Sequence, residues 1–362
     1  MIKVIPVKLK DNGYQIAIGS NILNQLAPAL SNLKLGKDAV IITHAKLTKL
    51  YGNALAAHLR KHGYSTKFFN IPEGEQSKSA TCAMHLLEQI AAYDVQKNIF
   101  IVALGGGVIG DLAGFVASIY KRGVPYIQVP TTLLAQIDSS IGGKTGIDLK
   151  YGKNLVGAIY QPKLVVADTV VLKTLSRRQI QNGLAEAIKY GVIKDAGLFE
   201  LIEKNHANFI TGDKDSINVI IARCAQIKAT VVEADEKDIK GIRAILNFGH
   251  TVGHAIEAAS DLKYQHGEAV ALGMRVAANI SVQLKMLSPA AETRLNQLLS
   301  AVGLPKTIAH GTPKDILSLM MHDKKFVGSR KRFVLASRIG HVTLVSDVEN
   351  DVIKAAINKF MA

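Results

Sequence analysis

Three consecutive glycines follow a short apolar segment in the first third of the chain. Residues 99–104 form an unbroken apolar run, the pattern of a parallel strand buried on both faces. Gly105, Gly107 and Gly110 then satisfy the pattern G-x-G-x-x-G. Such a turn lets backbone amides approach a pyrophosphate at the amino terminus of the following helix. The segment predicts a strand, a phosphate-binding turn and a helix; the alternative is a tight turn that binds nothing.

This motif differs from an ordinary dinucleotide-binding fingerprint. That fingerprint has an acidic residue about 20 residues further on, which holds a ribose hydroxyl. Residues 123–135 contain neither Asp nor Glu. The glycines alone therefore do not identify the ligand.

The order of apolar patterns predicts two domains. Strand-like segments alternate with helical stretches in the first half and lie at residues 39–42, 66–69, 99–104 and 126–129. Long helical patterns follow at residues 178–190, 217–233, 250–259 and 268–287, with two late strand-like segments on either side of Gly340. We expect an α/β N-terminal domain with a mostly parallel, Rossmann-like sheet (1–167) and a mainly α-helical C-terminal domain (168–362).

Charge and composition limit the partners. The 362 residues include 44 basic and 29 acidic side chains, a net charge of +15. The basic residues are spread out, with local clusters at 324–325 and 330–332 and no aromatic platform beside them, which favours a small anionic substrate over nucleic acid. No stretch approaches the 18 apolar residues of a membrane helix, and we expect a cytoplasmic protein without a membrane partner.

Residues 130–146 combine hydroxyls, one carboxylate and a lysine between glycines. Thr131 and Thr132 have the chemistry to donate to a cofactor, and Lys144 resembles an anion site in composition. Lys153 and Asn154 add a cation and an amide nearby. The alternative to a binding segment is a polar turn.

Two further groups suggest a site in the second half. Glu186 and Lys189 share one face of a helix that is otherwise small and apolar, so we expect them to face a cleft rather than form a surface ion pair. His250 and His254 share a face in the same way, and Gly249 and Gly253 beside them indicate close approach by a ligand or another helix.

A third histidine, His266, completes a candidate metal site. Together with Glu186, the histidines favour a His/His/Glu set with one open position for an oxygen ligand. From the residues alone, His250 and His254 serve either one metal together or one metal and one substrate. Zinc is the expected ion, with cobalt or iron left open.

With these motifs assembled, the chain resembles the 3-dehydroquinate synthases, which catalyse the second step of the shikimate pathway towards chorismate and the aromatic amino acids. The resemblance runs from about residue 37 to 340. The matching blocks are Pro72 to Lys78, Gly105 to Asp111, Arg122-Gly123, Pro130 to Gly146, Lys153-Asn154, Gln161-Pro162, Glu186 to Gly191, Arg243 to Glu257 and Asp323 to Lys325.

The resemblance implies an NAD-binding domain, a helical metal domain, an active site between them and a homodimer. The implied metal ligands are Glu186, His250 and His266, for Zn2+ or Co2+, which leaves His254 to the substrate. The implied contacts to NAD are Glu75, Lys78, Gly106, Gly107, Val108, Asp111, Thr131, Thr132, Leu134 and Lys153. The implied catalytic residues around the substrate are Asp138, Lys144, Asn154, Lys189, Lys228, Arg243, Asn247, His254 and one of Lys324 or Lys325, with Arg122 reaching the partner subunit's phosphate site.

The reaction implied by the resemblance converts 3-deoxy-D-arabino-heptulosonate 7-phosphate into 3-dehydroquinate and phosphate. It proceeds through transient NAD-dependent oxidation, phosphate β-elimination, re-reduction and intramolecular aldol closure. The alternatives are another sugar phosphate cyclase, a metal-dependent alcohol dehydrogenase, or, least favoured by the residues, a nucleic-acid binder.

Overall fold

The computed structural model describes residues 2–211, 214–261, 263–321 and 332–362. The chain divides into two compact units, Met1–Leu175 with Ile217–Lys237 and Ser176–Ser216 with Asp238–Ala362. The predicted boundary after residue 167 differs from this division, because residues 168–175 and 217–237 belong to the unit that contains the large sheet. Lys324 and Lys325, one of which is predicted to contact the substrate, lie outside the described residues.

The strands of the described chain are β1 (Lys3–Val7), β2 (Tyr14–Gly19), β3 (Asp38–Thr43), β4 (Ser65–Asn70), β5 (Ile99–Gly105), β6 (Tyr126–Pro130), β7 (Lys144–Leu149), β8 (Gly152–Ile159), β9 (Leu164–Asp168), β10 (Arg332–Arg338) and β11 (His341–Ser346). The helices are α1 (Leu26–Leu33), α2 (Ala45–Leu47), α3 (Asn53–Lys61), α4 (Ala80–Tyr93), α5 (Gly107–Ile119), α6 (Arg177–Ile193), α7 (Ala196–Thr211), α8 (Lys214–Ala234), α9 (His250–Ala259), α10 (His266–Gln283), α11 (Pro289–Val302), α12 (Pro313–Met321) and α13 (Asn350–Lys359). No helix among the described residues has the length and apolar character needed to cross a bilayer.

The large sheet of the first unit has the strand order β1-β2-β9-β6-β5-β3-β4 within the described residues. β1 pairs with β2 antiparallel, and the other neighbours pair in parallel. The four predicted strands coincide with β3, β4, β5 and β6, and the long helical patterns coincide with α6, α8, α9 and α10. The predicted fold class is therefore confirmed.

The unbroken apolar run of β5 is explained by two cores, one on each face of the sheet. Alternate residues of a strand point to opposite faces. Ile101 and Ala103 pack in a core with side chains of α4 and α5, whereas Phe100 and Val102 pack in a second core with side chains of α1 and α3. Every residue of β5 is buried. A strand covered on both faces needs no polar side chain, which is why its sequence does not alternate.

The hairpin of β7 and β8 was not predicted. The segment that precedes it contains a π-helical turn at Ala135–Ser139, and the strand begins at Lys144 itself. Most residues of β8 are exposed or half-buried, so its sequence lacks the apolar alternation by which a half-buried strand is recognised. The predicted strand pair around Gly340 is present as β10 and β11.

Glycines bring α9 and α10 of the second unit into close contact. A Cβ atom on Gly249 would lie 2.6 Å from Met274 Cγ and 2.9 Å from Val270 O. A Cβ atom on Gly273 would lie 2.7 Å from Gly253 N and still closer to Gly249 O. A Cβ atom on Gly253 would lie 3.0 Å from Ala269 O. Gly249, which precedes α9, and Gly253 within it therefore allow close approach by another helix, α10, rather than by a ligand.

We expect Gly273→Ala to destabilise the protein by about 1–3 kcal/mol or more, because the added methyl forces two backbones apart. Urea unfolding followed by circular dichroism measures the change. Ala271→Gly on the same helix is the control, with an expected cost on the order of 1 kcal/mol from helix propensity. Equal stability of Gly273→Ala and wild type would contradict the close helix contact.

Candidate functional site

Glu186, His250 and His266 form a compact cluster in the second unit. Their ligand atoms lie within 4.8 Å of one another. Glu186 Oε1 is 3.3 Å from His250 Nε2 and 3.6 Å from His266 Nε2. Each residue comes from a different helix, and the two histidines are the first residues of α9 and α10. One carboxylate and two imidazoles are a donor set that suits zinc or cobalt.

Glu186 is fully buried, and its charge is held by neighbouring cations. Lys189 Nζ lies 2.5 Å from Oε2 of Glu186. Burial by itself raises the pKa of Glu186, but the Lys189 ammonium and the His266 ring outweigh it and lower that pKa to about 2. Neither oxygen of Glu186 has a partner in hydrogen-bonding geometry among the described residues. A buried, ionised carboxylate that faces two imidazole nitrogens fits a divalent cation between them.

Glu257 is a member of this cluster that the sequence analysis missed. Its Oε2 lies 3.5 Å from His266 Nδ1. Burial lowers the pKa of His266, whereas the carboxylates of Glu186 and Glu257 outweigh this effect and raise that pKa to about 9. Helical spacing was the available signal, since Glu257 follows His254 by three residues and His250 by seven.

His254 stands apart from the metal-binding group. Its ring centroid is 5.2 Å from that of His250 and 5.9 Å from that of His266, and its side chain is exposed. The group of ligand atoms within 4.8 Å does not include it. The geometry therefore favours the ligand set implied by the resemblance over a metal pair formed by His250 and His254.

The second unit also buries predicted substrate residues. Arg243 and Lys189 are almost fully buried, at 2% and 1% exposure. Arg243 lies in a 3-10 helix, Ile242–Asn247, whose last residue is the half-buried Asn247. Cations with so little water around them need anionic partners, and Glu186 is one for Lys189.

The glycine turn of the first unit joins β5 to α5. Gly106 is the extended residue before the helix, which begins at Gly107. A Cβ atom on Gly106 would lie 3.2 Å from Thr132 Cγ2, so the turn packs against the segment after β6. Thr131 N donates to Gly105 O at 2.9 Å, and Thr132 Oγ1 accepts from Ala135 N at 3.1 Å. The predicted strand, turn and helix are confirmed.

Lys78 contacts two other predicted positions, one for the cofactor and one for the substrate. Its Nζ lies 2.5 Å from Asp111 Oδ2 and 2.5 Å from Asn154 Oδ1. Burial raises the pKa of Asp111 to about 6, even though the Lys78 ammonium acts to lower it. Glu75 Oε1 and Lys153 Nζ form a second contact of 3.6 Å. The structure thus brings together residues that lie more than 70 positions apart in sequence.

The other predicted residues of the first unit differ in their partners and in their exposure. Lys228 of α8 forms an ion pair with Asp138 of the segment after β6. The side chains of Val108 and Leu134 are half-buried, whereas Lys144 and Arg122 are exposed. Arg122 has a positive φ of 65°, in the turn that follows α5. Its predicted reach into a partner subunit stays a prediction.

The Lys78–Asp111 pair makes stability depend on pH. A carboxyl whose pKa is higher in the folded than in the unfolded chain destabilises the fold as the pH rises through its folded pKa. Removal of the Lys78 charge raises the pKa of Asp111 further. We therefore expect Lys78→Met to be close to wild type in unfolding free energy at about pH 5 and clearly less stable at about pH 8.

Urea unfolding at the two pH values measures this difference. In the double variant Lys78→Met/Asp111→Asn, the additional pH dependence should disappear because the ionisable partner is gone. A Lys78→Met penalty that is the same at both pH values would mean that Asp111 is not the group involved.

Comparisons with known proteins agree with this geometry. Residues 68–182 match the family described as 3-dehydroquinate synthase N-terminal, and residues 183–326 match 3-dehydroquinate synthase C-terminal. The chain is 44% identical over 357 residues to the 3-dehydroquinate synthase of Desulforamulus reducens, covering 98% of this chain and 99% of that protein.

Two solved structures share the fold. The first is 2-deoxy-scyllo-inosose synthase complexed with carbaglucose-6-phosphate, NAD+ and Co2+, with a TM-score of 0.89, 27% identity and coverage of 99% of this chain and 100% of that one. The second is 2-epi-5-epi-valiolone synthase from Streptomyces hygroscopicus subsp. jinggangensis 5008 with NAD+ and Zn2+ bound, with a TM-score of 0.89, 28% identity and 98% coverage of both chains. From the two matching family segments and the 44% identity over nearly the full length, we conclude that the chain belongs to the 3-dehydroquinate synthase family.

Proposed function

We propose that the chain catalyses the 3-dehydroquinate synthase reaction, in which 3-deoxy-D-arabino-heptulosonate 7-phosphate becomes 3-dehydroquinate and phosphate. The observation that carries the proposal is the cluster of buried Glu186, buried His250 and half-buried His266 in a chain that matches this family nearly end to end. Because a carbon–oxygen bond to phosphate is broken by elimination, the enzyme is a lyase.

We infer that Glu186, His250 and His266 hold a divalent metal ion, zinc or cobalt, and that NAD binds the first unit. These ions and NAD+ accompany the two related synthases. When bound, the metal supplies Lewis acidity towards a substrate oxygen, and NAD supplies a reversible hydride acceptor. In this proposal the division of roles follows the predicted domains, with the cofactor on the sheet-containing unit and the metal on the helical one.

The glycine turn is the proposed site for the NAD pyrophosphate. Gly106 and Gly107 carry no side chain, so the backbone at the start of α5 is open to close approach, and a helix amino terminus favours an anion. The remaining contacts proposed for NAD come from Glu75, Lys78, Val108, Asp111, Thr131, Thr132, Leu134 and Lys153. Lys78 fixes Asp111 by an ion pair, and Lys153 pairs with Glu75, which supports one connected surface for the cofactor.

Four cationic side chains are proposed to bind the two anionic ends of the substrate. Lys144, Lys189, Lys228 and Arg243 supply positive charge, and Asp138, Asn154, Asn247 and His254 supply polar contacts to ring hydroxyls. Arg243 and Lys228 are buried, where a charge-assisted hydrogen bond to an anion is strong. Their main contributions are orientation of the ring and stabilisation of the charge that develops as phosphate leaves.

The carboxylate of the substrate distinguishes this proposal from other sugar phosphate cyclases. A substrate with phosphate alone needs one anion site, whereas this chain has the cations Lys228 and Arg243 in addition to Lys144. Arg243 is the better match for a carboxylate, since its planar guanidinium binds two oxygens at once.

A homodimer is part of the proposal. The hairpin of β7 and β8 exposes large apolar side chains of the first unit, namely Leu149, Tyr151, Val156 and Ile159. Exposed apolar residues grouped on one hairpin are typical of a protein interface. In such a dimer, the exposed Arg122 is proposed to contact the phosphate site of the partner subunit.

Substitution of the histidines tests the metal assignment. We expect His250→Ala to abolish metal retention and turnover, because a three-ligand site that loses one ligand does not hold its ion. His254→Ala should keep the metal and lose rate, since His254 is proposed to contact substrate. Metal analysis of both purified variants, with activity measured in parallel, is the check. Loss of metal from His254→Ala would make it a ligand and refute this assignment.

The redox balance tests the reaction itself. Purified protein supplied with NAD+ and the heptulosonate phosphate should release about one phosphate per substrate while NADH absorbance stays flat, because hydride returns within each cycle. A catalytic amount of NAD+ should be enough. If NADH accumulates in step with substrate consumption and no phosphate appears, the protein is a dehydrogenase and the proposal is wrong.

A further inference from the structure

The two imidazoles of the metal cluster present the same ring nitrogen to Glu186. The Nε2 atoms of His250 and His266 lie 3.3 Å and 3.6 Å from Glu186 Oε1. The Nδ1 atom of each ring therefore points elsewhere. A histidine that binds a metal through Nε2 is neutral and carries its proton on Nδ1. The acceptor for that proton decides which tautomer is present and how the ring is oriented.

The acceptors at the two Nδ1 atoms are of different kinds. His250 Nδ1 lies 3.3 Å from Phe248 O, a carbonyl of the preceding backbone. His266 Nδ1 lies 3.5 Å from Oε2 of Glu257, a carboxylate that is 7% exposed. The first acceptor is a neutral dipole, and the second is a charged side chain that can be changed by substitution.

We propose that Glu257 is a positioning residue of the metal site, whose carboxylate accepts the Nδ1 proton of His266, fixes the tautomer and orientation of that ring, and strengthens the bond from Nε2 to the divalent cation. This inference rests on the proposed function, because it assigns a role towards the metal that Glu186, His250 and His266 are proposed to hold. The additional negative charge beside the cluster also favours the binding of a divalent cation.

The backbone at His266 is held without help from Glu257. Gly267 N donates to Oδ1 of Asn182, which lies on the same helix as Glu186. The side chain of Glu268 accepts from Gln265 N at 2.8 Å and closes a capping box at the start of α10. Loss of the Glu257 carboxylate therefore leaves the helix start in place and acts on the orientation of the ring.

The place of Glu257 on α9 explains why its side chain reaches α10. It follows His250 by seven residues, so both lie on one face of α9. The glycine contacts between the two helices bring that face close to the first turn of α10, where His266 is located.

The test is metal affinity in the full chain, measured without NAD or substrate. Zinc dissociation constants are obtained by competition with a chromophoric chelator, and the visible absorption of the cobalt-loaded protein reports the ligand field. We expect Glu257→Ala to bind zinc about 10–100-fold more weakly and to shift the cobalt spectrum. Glu257→Gln should fall between Ala and wild type, because the amide oxygen still accepts the Nδ1 proton but carries no charge.

Glu292→Gln is the matched control. Glu292 is a buried glutamate of the same unit, and it contacts Asn279 and Lys359 rather than the histidines. This control should keep the wild-type zinc affinity and cobalt spectrum. A graded loss from Gln to Ala at position 257, with the control unchanged, supports the inference.

The inference is overturned if folded Glu257→Ala or Glu257→Gln binds zinc as tightly as wild type with an unchanged cobalt spectrum. If Glu257→Ala does not fold, the Gln variant decides alone. Wild-type protein that holds neither zinc nor cobalt overturns both this inference and the proposed metal site. Weakened metal binding in the variants, together with no phosphate release by wild type, refutes the proposed reaction and leaves the role of Glu257 intact.

Discussion

The buried charge of Glu186 is the constraint on which the second unit depends. A carboxylate with no exposure to water is costly unless cations and donors surround it. Here, Lys189 lies on the same helix, and two histidines face it from other helices. The low pKa of Glu186, about 2, shows that these neighbours outweigh the effect of burial. The same arrangement that keeps the carboxylate ionised makes it a strong metal ligand.

The helix contacts around this cluster set its geometry. The backbones of α9 and α10 approach each other at Gly249, Gly253 and Gly273, where no side chain separates them. Because His250 and His266 begin these two helices, a change in the helix separation would move both ligands. Glycine in a helix interior costs about 1 kcal/mol of stability. In this chain that cost is offset by close packing next to the site.

The first unit organises its polar residues in a different way. Parallel strands leave their carboxyl ends at one edge of the sheet, where the segments after β5 and β6 meet. Lys78 then joins α5 to the β7–β8 hairpin through Asp111 and Asn154. The cofactor surface proposed here thus combines backbone at the glycine turn with the ion pairs around it.

The sequence by itself determined the fold class and the strand, turn and helix at the triple glycine. It also indicated a metal site among Glu186, His250, His254 and His266, from which the family resemblance implied three ligands. It did so because the periods of strands and helices and the conformation of glycine are local properties. The tertiary structure decided what depends on distant residues. The spacing of His250 and His254 fits a metal pair. Only the position of Glu186 on another helix shows that His250 faces the carboxylate and that His254 does not. Lys228 and Asp138 are 90 residues apart and meet only in the folded chain. Glu257 reaches His266 only because α10 packs close to α9. No local pattern encodes such contacts, because they arise from the packing of whole elements.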